Sequence, residues 1–78
     1  MQIIVENQPV KVSSNVAVNK PADAALRVRD ADDEEYVLLP AGHETVVFQA
    51  AGAAGTHTVE ALDEDGKVLE AETFEVVD

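Results

Sequence analysis

An antiparallel all-β fold, sandwich or barrel, is the class this sequence predicts, and three observations carry it. Apolar residues recur with period two over most of the length, the spacing of strands that bury one face. Clusters of Asn, Asp, Gly and Pro break the runs at short intervals, as turns between strands do. Nothing like a long amphipathic helix lies between them.

The elements follow in order. After an expected turn at Asn7-Gln8-Pro9, Val10 and Val12 flank Lys11, and Val16 and Val18 flank Ala17. Asn19-Lys20-Pro21 closes the second run. The stretch from Ala22 to Leu39 is rich in Ala, Leu, Asp and Glu, which by propensity alone suits a helix capped near Asp23. Leu26 and Val28, however, stand two apart and alternate with Arg27 and Arg29, and five of the six residues from Asp30 to Glu35 are carboxylates. Strand, acidic turn, strand is the better reading. Pro40-Ala41-Gly42 then leads to Val46 and Phe48, which alternate with Thr45, Val47 and Gln49. Beyond Gly52-Ala53-Ala54-Gly55, His57, Val59 and Ala61 alternate with Thr56, Thr58 and Glu60. Asp63-Glu64-Asp65-Gly66 is a hairpin signal in which Asp65-Gly66 suits a type I′ turn. Near the C-terminus Leu69 and Ala71 fall on odd positions but Phe74 and Val76 on even ones. One face cannot hold both sets, so a bulge or a change of sheet is expected near Glu72-Thr73.

The chain has 78 residues and no cysteine, so a single domain over 1–78 is expected. With 12 Ala, 13 Val and only three aromatic residues, its core must be thin and built from small side chains. A net charge of −11 repels nucleic acid phosphates and anionic lipid head groups, which argues against both as partners. No stretch approaches the roughly 20 apolar residues of a membrane span, and Met1 to Val5 is too short for a secretory core before Glu6. With Met1 as the natural start, synthesis and retention in the cytoplasm are expected. The missing cysteines suit a reducing compartment and many extracellular sandwich domains alike. The acidic, Lys-poor composition fits a salt-adapted protein and an ordinary acidic one.

The C-terminal half carries a resemblance. Leu39-Pro40-Ala41-Gly42 runs into Thr45-Val46-Val47-Phe48, then come Ala54-Gly55-Thr56-His57-Thr58-Val59-Glu60-Ala61 and Asp63-Glu64-Asp65-Gly66-Lys67-Val68. These runs resemble bacterial and phage immunoglobulin-like domains of the broad fibronectin type III-like group; the first half matches by strand rhythm only. The resemblance implies a single antiparallel immunoglobulin-like β-sandwich of about seven short strands. His57 stands where the corner tyrosine is usual and Val59 where antibody-type domains have their second cysteine, and there is no Trp. These departures remove the antibody-type pin and leave the sandwich intact. The architecture hosts many unrelated roles.

Candidate sites are few. Asp30, Asp32, Asp33, Glu34 and Glu35 are a dense set of oxygen ligands for Ca2+, but an EF-hand loop begun at Asp30 would place Glu35 where Gly is needed and Ala41 at the twelfth position. A solvated acidic turn is the simpler reading, and the acids of Asp63-Glu64-Asp65-Gly66 read as turn formers. His43 and His57 are the only imidazoles, widely spaced and without cysteine to complete a zinc site. No Gly-x-Ser-x-Gly elbow exists, the only serines are Ser13 and Ser14, and no phosphate loop precedes a helix. No metal, cofactor or enzymatic activity is expected. Arg27 and Arg29 point to one side of a strand and are two of five cations. They are the candidate partner-binding residues, the simpler alternative being that they balance acids on a neighbouring strand. Acidic side chains on the open sheet edges are expected to oppose self-pairing.

The functional expectation is a non-enzymatic structural protein that presents surface and strand edges to a protein partner. A small domain with its own Met and no signal peptide looks like a bacteriophage virion accessory, such as a capsid decoration protein bound to a capsid subunit and in contact with copies of itself on the particle. Two other readings stand beside it: an immunoglobulin-like module excised from a prokaryotic surface adhesin, which would place it outside the cell, and an acidic inhibitor that mimics DNA.

Overall fold

Period-two patterning becomes eight strands, with no helix among the described residues, in the computed structural model, which describes residues 3–5 and 9–78. They are β1 (Ile4–Val5), β2 (Val10–Lys11), β3 (Asn15–Asn19), β4 (Ala25–Arg29), β5 (Glu35–Leu39), β6 (Thr45–Gln49), β7 (Gly55–Leu62) and β8 (Val68–Val77). The expected turn at Asn7-Gln8-Pro9 lies, but for Pro9, outside the described residues. Two sheets form, ordered β1-β3-β6 and β2-β8-β7-β4-β5. The eighth strand, one more than the seven expected, arises because the first part of the chain is divided: β1 pairs antiparallel with β3, and β2 pairs with β8 in the other sheet. That second pairing is parallel, where an antiparallel ladder was expected throughout.

The inward-facing set is the one the alternation predicts. Val16, Val18, Val46 and Phe48 of the smaller sheet share one core with Leu26, Val28, Val59, Ala61, Phe74 and Val76 of the larger. Phe48 meets Phe74 edge-on across the layers, ring centroids 6.2 Å apart. The segment from Ala22 to Leu39 is strand, turn, strand, with Leu26 and Val28 buried against β7 and β5.

Two local expectations are corrected. The β8 strand runs without interruption through Glu72-Thr73, and its irregularity lies earlier: Glu70 pairs with Ala61 and Val68 with Leu62, leaving Leu69 as the extra residue. Leu69 and Ala71 are exposed, and it is Glu70 and Glu72 that share the inward parity of Phe74 and Val76. Among the described residues this end of β8 has no neighbour on its far side, since β2 pairs only with Val76 and Val77. Inward-pointing carboxylates on an unpaired strand length are a known protection against edge pairing.

The second correction concerns the hairpin turns. Asp65 does not take a positive φ, so Asp63–Lys67 is not a type I′ turn. The Gly66 N–H donates to the Asp63 carbonyl and the Asp63 N–H to the Lys67 carbonyl, with Gly66 at φ 82°. That is a turn followed by one left-handed residue, the other common hairpin solution. The Asp63 carboxylate fastens it by accepting from the Asp65 and Lys67 N–H groups. Asp30–Glu34 repeats the pattern bond for bond, with Asp33 at φ 66° in the place of Gly66. A side chain in the left-handed region costs about 1 kcal/mol relative to Gly, whereas the exposed pair of Arg29 with Asp33 contributes only a few tenths. Asp33→Gly is therefore expected to raise stability by about 0.5 kcal/mol in urea melts, and Gly66→Ala to lower it by about 1 kcal/mol.

Candidate functional site

On β4, burying Leu26 and Val28 turns Arg27 and Arg29 onto the outer face of the five-stranded sheet. The register sets Arg27 between Leu38 of β5 and Glu60 of β7. Glu60, only 5% exposed, accepts from both guanidinium groups: Arg27 Nε at 2.9 Å and Arg29 Nη2 at 3.1 Å. Arg29 Nη1 also lies 3.3 Å from Asp33 Oδ1, while its Nε is covered without a hydrogen-bond partner. The hydrogen bond to Glu60 holds the Arg27 proton more tightly than in a free guanidinium. The two arginines thus lie together on one face, as expected, and they are braced by a carboxylate on the neighbouring strand.

Leu38 extends the row outward and is 61% exposed. Beside it lies an open depression of about 500 Å³, with Ala25, Leu39, Pro40 and Leu62 as its other apolar lining and Arg27, Glu35, Asp63 and Glu64 as its charged lining. The surface offers an apolar contact, two oriented cations and a set of acids.

Of the remaining sequence candidates, Asp30 and His57 are built into the fold. Asp30 is buried rather than solvated, a correction to the acidic turn as read from sequence, whose other members from Asp32 to Glu35 are exposed. Its Oδ1 accepts from the Asp32 and Glu34 N–H groups and its Oδ2 from that of Ala53. These bonds, with that of Glu34 foremost, hold its carboxyl below the usual aspartate range, so its contribution to stability is present above the unfolded pKa and is lost as pH falls through the folded one. A Cβ on Gly52, at φ +77°, would lie 2.1 Å from Asp30 Oδ2, so only glycine lets the loop close on this carboxylate. Among the described residues no group of three or more His, Cys, Asp or Glu is arranged to hold a metal.

His43 is exposed, and His57 is fully buried on the face shared with Val59 and Ala61. Its Nε2 donates to the Ala53 carbonyl at 2.7 Å, four residues upstream. Since a carbonyl only accepts, Nε2 carries a proton, and in the neutral ring Nδ1 then accepts from the Tyr36 hydroxyl at 2.9 Å. The Tyr36 partner has no signature in the sequence: Tyr36 is the extra residue of a bulge in β5, between Glu35 opposite Arg29 and Val37 opposite Val28. Burial pushes its phenol up to about 12, with Asp30 adding to the shift. Tyr36 is the sole tyrosine and there is no Trp, so phenolate absorbance reports this group alone. Its midpoint is expected near 12 in the folded protein and near 10 in urea. The stability that Tyr36 contributes is full below pH 10 and declines as pH rises through the folded value, a loss that Tyr36→Phe removes.

Lys20, read from sequence as part of a turn, is 5% exposed. Its ammonium donates to the carbonyls of Ala24 and His43 at 2.6 Å each and of Pro21 at 3.2 Å. The signal was parity: Lys20 continues the inward series of Val16 and Val18, as Asp30 continues that of Leu26 and Val28. Comparison with protein-family models, curated proteins and solved structures gives no match for this chain.

Proposed function

We propose that the chain is a non-enzymatic immunoglobulin-like module that docks on a protein assembly through the outer face of its five-stranded sheet, and that the assembly is a bacteriophage capsid. The fold part of this reading is supported by strand order. A three-stranded sheet faces a larger one, and the initial segment contributes a short strand to each. His57 bonds back to a loop carbonyl near the start of β7, the part that a corner tyrosine plays in such domains.

The observation that carries the docking face is Leu38, a mostly exposed leucine beside two braced arginines and an apolar depression, on a chain of net charge −11. An exposed apolar centre with a charged rim is the anatomy of a protein contact. The acids at the rim, Glu35, Asp63 and Glu64, suit a capsid subunit that presents Lys or Arg.

Co-sedimentation with capsids purified without the chain tests the reading. Wild-type protein is expected to pellet with the particles and Leu38→Lys to remain in the supernatant. The Arg27→Ala, Arg29→Ala pair is a poorer probe, because it leaves the buried Glu60 without its partners and destabilises the sheet itself. Failure to bind any capsid, with tight binding to a nuclease or another DNA-binding enzyme, would replace this reading with DNA mimicry.

A further inference from the structure

We infer that β6 is a self-pairing edge, through which two copies of this chain join antiparallel about a two-fold axis into one continuous sheet. The proposal is independent of the docking face above, which lies on the other sheet.

The first observation is a contrast among edges. Unpaired strand edges are usually protected by shortness, charge, proline or a bulge. Here β1 and β2 have two residues each, and Lys11 stands on β2. The β5 edge has Glu35, the bulge at Tyr36 and Pro40 directly after it. The length of β8 that β2 does not cover among the described residues has the bulge at Leu69 and inward-parity Glu70 and Glu72. By contrast, β6 runs five residues in unbroken register with β3, has no other neighbour among the described residues, and reads Thr-Val-Val-Phe-Gln, without charge or proline. The expectation that acids guard the open edges fails at this strand.

The second observation is the face beside that edge. Among the described residues, the outward-parity positions on the strands of the smaller sheet are Ile4, Asn15, Ala17 and Asn19, with Thr45, Val47 and Gln49 on β6 itself. None is charged, in a chain where 16 acids and five bases occupy 78 positions. Val47, at the middle of β6, is 59% exposed. Two bodies of charge −11 repel each other wherever acids face, and this is the surface on which they do not.

The third is self-complementarity. Lys20 N–H donates to the Glu44 carbonyl and Ala50 N–H to that of Ser14. Ladder alternation then assigns the main-chain groups of Val46 and Phe48 to β3 and turns those of Thr45, Val47 and Gln49 off the edge. A two-fold axis at Val47 sets it opposite its own copy and Thr45 opposite Gln49, which satisfies all of these groups at once. The same register sets Glu44 opposite Ala50, so no acid meets an acid.

A five-residue edge buries less than a standard interface, so the dimer is weak and salt-promoted. Sedimentation equilibrium over a range of protein and NaCl concentrations is the test, from 0.01 M, where charges act over about 30 Å, to 0.15 M, where they act over about 8 Å. The expected result is a monomer–dimer equilibrium whose Kd falls with salt. Val47→Lys, which sets two cations face to face, is expected to raise Kd at least about tenfold, with folding checked by circular dichroism and Leu38→Lys as the control that leaves Kd unchanged. A monomer at every concentration and salt would overturn the proposal. So would a dimer insensitive to Val47→Lys, and one lost in Leu38→Lys would move the contact to the larger sheet.

Discussion

His57→Ala is expected to lower the unfolding free energy by about 3–4 kcal/mol in urea melts, and His43→Ala by less than about 0.5 kcal/mol. The difference follows from where the rings lie. His57 has no exposed surface and packs between Tyr36 and Phe74, with centroids 5.5 and 5.4 Å away. Truncation opens a cavity in a core with few large side chains and strands the Ala53 carbonyl and the Tyr36 hydroxyl. His57→Phe retains the ring and loses only the hydrogen bonds, so it should fall between the two. An effect of His57→Ala no larger than that of His43→Ala would place His57 on the outer face.

Lys20→Met should cost about 2–3 kcal/mol, because it keeps the apolar stem and removes the group that the Pro21, Ala24 and His43 carbonyls share. Burial holds the Lys20 ammonium below the usual lysine range, with Asp23 opposing the shift. A lowered lysine pKa means that the charged form is disfavoured on folding, so this group's contribution rises as pH climbs through the folded value toward that of the unfolded chain. In alkaline melts it therefore opposes the decline due to Tyr36. Comparison of Lys20→Met with Tyr36→Phe across that window separates the two. If Lys20→Met melts like the wild type, the three carbonyls are satisfied without it.

What the sequence disclosed and what it concealed divide along one physical line. Alternation gave the strands, the strand–turn–strand reading of Ala22 to Leu39, and the face that His57 shares with Val59 and Ala61, because side-chain parity is a local property of the chain. Register is not local. Whether Glu60 braces Arg27 and Arg29, or Tyr36 reaches His57, depends on which residues a neighbouring strand sets opposite, and the bulge at Tyr36 has no local mark. Leu69 and Ala71 misled for a related reason. Their apolar character suggests a buried face, yet β8 at that end is an edge without a second neighbour among the described residues, and its inward positions are Glu70 and Glu72. The type I′ expectation treated Asp65-Gly66 as a pair, whereas the Asp63 side chain, by capturing two N–H groups, selects the alternative turn. Lys20 and Asp30 stand at inward parity, but charge beside a turn suggests solvent, and only the backbone groups that meet them inside account for their burial.

The parallel patch between β2 and β8 gives the molecule a direction of mechanical strength. Val10 and Lys11 lie alongside Val76 and Val77, and the Val12 N–H donates to the Val77 carbonyl at 2.9 Å. Because the two strands point the same way, tension that draws Val10 backward and Val77 forward slides one strand along the other. The bonds between them then bear the load together, whereas a hairpin pulled at its open end unzips one bond at a time. Tension applied between Val10 and Val77 therefore loads these bonds in shear, and since Val10 and Val76 are themselves buried, sliding the short second strand also draws on the core.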